Sequence, residues 1–248
     1  MGLAWADVPV TSSRLPLRTA GRPVDVPFAV MAWLAAFVVG QTLAVIILGI
    51  GGADDPDDNA IGILFAGVAA TWIAYLAGAW WASKQSGSGR PVEDYRLRFA
   101  ALDVIGIPLG VLTQLVLLPL VYWPLDHFWP DTFSDDKLTE TAERLVDKAD
   151  GGGVVLLVLM VCVFAPIVEE IVYRGMLQGS FAGRFDQKVA LVLAALWFTT
   201  VHFRPVEYPG LFVFGLVAGA AFVSTGRLGL PLTTHVAFNA TGLALAWR

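Results

Sequence analysis

The chain is 248 residues long, 56% hydrophobic and only 15% charged, with a formal net charge of −5 and a mean hydropathy of +0.68. A soluble domain carries roughly 25% charged residues, so the composition argues against a soluble globular protein, and the absence of any Lys/Arg-rich stripe argues against a nucleic-acid partner. The single cysteine, Cys162, excludes an intramolecular disulfide and reads as a small packing residue within an apolar block.

Residues 1–27 hold Pro9, Pro16, Pro23 and Pro27 together with Arg14, Arg18 and Arg22, and lack an apolar run of signal-peptide length. They are expected to form a flexible N-terminal tail rather than a cleaved signal. About 20 mostly apolar residues are needed to cross roughly 30 Å of hydrocarbon. Seven blocks approach that length, near 28–50, 60–83, 100–123, 153–182, 189–204, 209–226 and 228–246. The expected fold class is therefore all-α: a polytopic membrane helical bundle of about seven transmembrane helices, three in 28–123 and about four in 153–248. Trp80, Trp81, Trp123, Trp129 and Trp247 fall near block ends, as an interfacial aromatic belt requires. Asp103 and His127 read as span-boundary and interfacial residues.

The connection over 124–152 is long. Its second half places Leu138, Ala142, Leu145, Val146 and Ala149 on one helical face. Asp135 and Asp136 stand where a helix N-terminus favours negative charge, and Gly151, Gly152 and Gly153 end the pattern. A surface amphipathic helix is expected there, packed at the interface rather than closing over a site.

Loop charge sets the orientation. With the N-terminus cytoplasmic, the inner segments hold Arg14, Arg18, Arg22, Lys84, Arg90, Arg96, Arg98, Arg184, Lys188 and Arg227. The outer ones hold only Lys137, Arg144, Lys148, Arg204 and Arg248, along with the acidic Asp54, Asp55, Asp57 and Asp58. The expectation is an integral, multi-pass protein of the plasma membrane, its N-terminus cytoplasmic and the lipid bilayer its partner.

Ionisable residues at membrane depth are costly and point to function. The fourth block carries Glu169, Glu170 and Arg174, the fifth His202, and the seventh His235 and Asn239. Glu170 and Arg174 are an i, i+4 pair on one helix face and can neutralise each other. Glu169 lies about 100° around the helix from Glu170 and is left over. Peptide hydrolysis needs a general base for water and donors for the tetrahedral oxyanion. Glu169 with His202 answers the first need, and His235 with Asn239, again i, i+4, the second. No nucleophile elbow is present, and Cys162 has no evident activation. A depth count raises a difficulty: His202 comes late in its block and His235 early in its own, so tilted or re-entrant helices are required to bring them together.

Three motifs carry a resemblance. Glu169-Glu170-Ile171-Val172-Tyr173-Arg174 reads EExxxR, Phe198-Thr199-Thr200-Val201-His202 reads FxxxH, and His235-Val236-Ala237-Phe238-Asn239 reads HxxxN. In this order, on successive apolar segments, they resemble the CPBP (ABI) family of intramembrane proteases, which holds type II CAAX prenyl endopeptidases and bacteriocin-processing enzymes. The resemblance covers roughly 153–248, a catalytic core; the first 152 residues carry none of its motifs. It implies an intramembrane endopeptidase acting on a membrane-associated peptide or protein, prenylated or CAAX-like at its C-terminus. It further implies that Glu169 and His202 activate water, that His235 and Asn239 hold the oxyanion, and that Glu170 and Arg174 organise the site. No cofactor is expected. The alternatives are a zinc ion held by Glu169, His202 and His235 as an open three-ligand site, though no HExxH is present; a non-catalytic scaffold or bacteriocin self-immunity protein of the same fold; and a transporter, disfavoured because no internal repeat is found.

Overall fold

A computed structural model describes residues 23–52 and 59–247; the expected tail up to residue 22, with Arg14, Arg18 and Arg22, the acidic Asp54, Asp55, Asp57 and Asp58, and Arg248 lie outside the described residues. Every regular element among the described residues is helical. Apart from the single turns Pro91–Asp94 and Pro130–Phe133, these are in chain order α1 (Val26–Gly51), α2 (Ile61–Ser86), α3 (Ala101–Phe128), α4 (Asp135–Asp147), α5 (Gly152–Arg184), α6 (Gln187–Thr200), α7 (Pro205–Thr225) and α8 (Gly229–Ala246). Of the seven apolar blocks, five form helices long and apolar enough to cross a membrane: α1, α2, α3, α5 and α7. The other two fall short of that length or hydropathy. At 14 residues, α6 reaches only about 21 Å at 1.5 Å per residue. The 18-residue α8 is diluted by Thr233, Thr234, Thr241, His235 and Asn239. The chain is an all-α, multi-pass integral membrane protein. Met31, Val38, Val45, Ile50, Leu120 and Trp123 stand exposed along its spans, a surface that only hydrocarbon covers without penalty.

The long helices are not regular, and proline explains two of the irregularities. Pro119 and Pro166 have no N–H to close the i→i+4 ladder. Upstream of each, the ladder widens into a π turn, over Thr113–Leu117 in α3 and Leu159–Phe164 in α5. The Leu118 N–H reaches back to the Thr113 carbonyl, and the Ala165 N–H to that of Met160. A third π stretch, Glu170–Gln178, contains no proline and carries Glu170 and Arg174; π turns of this kind frequently accompany functional sites.

Small residues set the helix spacing. Gly106 and Gly110 on α3 form a G-x-x-x-G face that abuts the backbone of α8, the device by which membrane helices approach closely without a hydrophobic driving force. A Cβ at Gly110 would stand 2.8 Å from the Phe238 nitrogen and 2.9 Å from the Ala237 Cβ. Gly110→Val is therefore expected to push α8 away at a cost of about 1–3 kcal/mol and to lower any activity that depends on His235, checked by thermal melting in detergent alongside turnover.

The start of α8 is also clamped. Arg227 spans both oxygens of Asp103 at 2.7–3.1 Å, and this pairing raises the guanidinium pKa above its ordinary value. The Thr233 hydroxyl donates to the Asp103 carbonyl at 2.5 Å. The Leu228 and Gly229 N–H groups donate to the carbonyls of Arg96 and Arg98. Asp103 does sit at the beginning of a span, yet it is buried and paired rather than interfacial. On the surface, α4 turns Leu145 and Val146, with Ala149 just beyond its end, onto a cluster formed by Ile61, Leu157, Met160, Cys162 and Leu243.

Candidate active site

The polar residues at membrane depth gather where α5, α6, α7 and α8 meet. At the centre is a buried ionic cluster. Arg174 Nη1 donates to Glu170 Oε1 at 2.9 Å, as the i, i+4 spacing requires, and His235 Nδ1 lies 2.8 Å from the same oxygen. All three side chains are almost wholly excluded from solvent, at 1–4% exposure, so each survives only by pairing with the others. Aromatic rings fence them in: the Arg174 guanidinium lies 4.6 Å from the Phe198 centroid and 5.6 Å from that of Phe214, a cation–π arrangement in a desolvated setting. Phe214 lies 4.6 Å from the His235 ring.

Glu169 is in a different situation. It keeps 23% side-chain exposure, and His235 Nε2 lies 3.6 Å from its Oε2. It opens into a cavity of about 170 Å³ shared with His202. A water occupies about 30 Å³ of liquid volume, so the space admits several. His202 sits in the turn that follows α6, and its Nδ1 is 2.6 Å from the Phe198 carbonyl oxygen. A carbonyl only accepts, so Nδ1 carries the hydrogen; Nε2 of the neutral ring keeps its lone pair and is an acceptor. The two imidazoles flank the same side chain, Phe198, at centroid distances of 4.7 Å for His202 and 6.2 Å for His235. The depth difficulty is met locally: α6 is short, and the His202 ring folds back along its last turn.

Asn239 is placed otherwise than its spacing suggests. Because Ala165 bonds to Met160 across the π turn, the Val161 carbonyl loses its helical donor, and Asn239 Nδ2 supplies one at 2.8 Å. The amide thereby ties α8 to the bulge of α5, and neither Asn239 nor His235 is among the residues lining the cavity. The far wall comes from a region without recognisable motifs: Phe37 and Gln41 on α1, and Thr71, Trp72 and Tyr75 on α2, with Tyr173 of α5 beside them. The sequence signal for Gln41 was available, since it is one of only two polar residues in the apolar run of α1, next to Thr42. Among the described residues, no three His, Cys, Asp or Glu side chains stand together as a metal-binding group. Cys162 is a buried free thiol outside the cavity lining.

Comparison with known proteins bears on the segment that holds these groups. Residues 151–241 match the sequence model of the family described as type II CAAX prenyl endopeptidase Rce1-like. No curated protein and no solved structure matches the chain. The matched segment spans Glu169, Glu170, Arg174, His202, His235 and Asn239, and over it this chain is similar to the Rce1-like family of type II CAAX prenyl endopeptidases.

Proposed function

We propose that the chain is an intramembrane endopeptidase that hydrolyses a peptide bond in a membrane-associated peptide or protein, prenylated or CAAX-like at its C-terminus, using water activated by Glu169 and His202. The observation that carries this reading is the shared cavity: a carboxylate and an imidazole acceptor border one space large enough for several waters. The water oxygen attacks the carbonyl carbon while its proton passes to Glu169 or to His202 Nε2. As the C–N bond breaks, that proton is returned to the leaving nitrogen. A positioned base of this kind contributes about 10²–10⁴ in rate. His235, its Nδ1–H given to Glu170 at 2.8 Å, stands with Nε2 3.6 Å from the Glu169 carboxylate, and Asn239 keeps α8 against α5. Tyr75 and Tyr173, which line the cavity, carry hydroxyls able to donate to the oxyanion. The basic residues between α2 and α3, Lys84, Arg90, Arg96 and Arg98, support a cytoplasmic N-terminus.

The test is reconstitution of the full chain into proteoliposomes with a farnesylated peptide ending in a CAAX sequence, followed by mass spectrometry of the released C-terminal fragment. Cleavage is expected, and 1,10-phenanthroline should leave it undiminished. Cleavage abolished by the chelator and restored by zinc would overturn metal-free activation. Absence of cleavage would favour the scaffold alternative.

A further inference from the structure

The matched family segment supplies only one side of the cavity; the opposite wall belongs to α1 and α2, which lie outside it. On that wall Gln41 is anomalous. It is the sixteenth of the 26 residues of α1 and so near the middle of a span, in the run Phe37-Val38-Val39-Gly40-Gln41-Thr42-Leu43-Ala44-Val45. Its neighbour Thr42 is accounted for, because the hydroxyl donates to the Val38 carbonyl one turn back at 2.7 Å. The Gln41 carboxamide is exposed and makes no hydrogen bond among the described residues. An amide carried into hydrocarbon without a partner is strongly unfavourable, so this side chain is tolerable only where something polar meets it. The polar space within its reach is the cavity it shares with Glu169 and His202.

Its position is fixed by the adjacent residue. Gly40 presses on α2 so closely that a Cβ there would come 2.9 Å from the Thr71 Cα. The backbone of α1 is thus held against Thr71, itself a lining residue, and Gln41 cannot drift from the wall. A carboxamide offers one acceptor and two donors, the complement of a peptide group, and an extended peptide presents such groups along its length.

We propose that Gln41 is a substrate-positioning residue that hydrogen-bonds the backbone of the peptide in the cavity, so that the N-terminal helices hold the substrate while the C-terminal segment supplies the base. This inference rests on the hydrolytic reading above only for the identity of the cavity.

With the farnesylated CAAX peptide as probe, Gln41→Leu, which removes a polar group from a span and leaves its apolar packing intact, is expected to raise KM about tenfold with kcat within twofold of the unchanged chain. Gln41→Asn, which keeps the carboxamide, should fall between them. The same peptide is also measured for binding by fluorescence anisotropy in the Glu169→Gln background, where adding Gln41→Leu should weaken Kd about tenfold. A peptide with one backbone amide replaced by an ester should bind the Gln41-containing protein more weakly and the Gln41→Leu protein no differently, as expected for a directly coupled pair. An unchanged Kd overturns the proposal, and so does a loss confined to kcat. If Glu169→Gln still cleaves, the hydrolytic assignment fails while the binding measurement continues to judge Gln41 independently.

Discussion

Replacing Glu169 by glutamine should leave a folded protein whose turnover of a farnesylated CAAX peptide falls by about 10²–10⁴-fold, the contribution expected of a positioned base. The substitution is nearly isosteric. It removes negative charge and proton affinity from a side chain that is 23% exposed and lies 3.6 Å from His235 Nε2. A glutamine can still meet that nitrogen, so the melting temperature should move little; changes at such partly exposed sites are usually within about 0.5 kcal/mol. Turnover and melting in the same detergent check both halves of the statement. Persistence of cleavage in Glu169→Gln would remove the base from the mechanism. A large loss of stability would instead move Glu169 into the structural cluster with Glu170. His202→Gln provides the parallel case, because the same cavity borders it.

Much of this arrangement was legible in the chain because the membrane makes polar residues conspicuous. The spacing of Glu170 and Arg174 specified their contact, and the structure shows the 2.9 Å pair directly. The leftover status of Glu169 followed from the same helical geometry and corresponds to its greater exposure. Three features were not legible, each for a physical reason. The Asp103–Arg227 clamp joins residues 124 positions apart, and no local period reports a pairing of that range. The turn of Asn239 toward Val161 depends on which carbonyl the π turn releases; proline warns that a ladder will break without saying which neighbour will repair it. The count of seven spans treated apolar length as the criterion, whereas α6 and α8 sit among protein neighbours and can be shorter or more polar than helices facing lipid.

The same contrast explains why the N-terminal helices escaped a functional reading. Residues 1–152 lack the motifs of the C-terminal segment, and the matched family region begins at residue 151. Yet Phe37, Gln41, Thr71, Trp72 and Tyr75 form a wall of the cavity. Their contribution arises from the crossing of α1 and α2 at Gly40 and Gly78. A glycine in an apolar run looks like any other small residue until the partner helix is known.

Arg174→Met should produce the opposite signature from Glu169→Gln: a large loss of stability, whatever happens to chemistry. Arg174 is among the largest fully buried side chains. Removing it leaves the Glu170 carboxylate at 1% exposure with only His235 Nδ1 against it, and Glu170 Oε2 already has no hydrogen-bond partner. Breaking one side of a buried ion pair costs about 3–5 kcal/mol, because an uncompensated charge remains in a low-dielectric interior. For a chain of this size each kcal/mol corresponds to roughly 2–4 °C, so the melting temperature should drop by about 6–20 °C. The double variant Glu170→Gln/Arg174→Met removes both charges, and a glutamine oxygen at 170 can still accept from His235 Nδ1. It should recover more than half of the lost stability, the non-additivity expected of a contacting pair. If Arg174→Met melted within about 1 °C of the unchanged chain, the cluster would not be what holds α5, α7 and α8 together. If the double variant were no better than the single one, the cost would lie in lost packing against Phe198 and Phe214 rather than in the stranded charge.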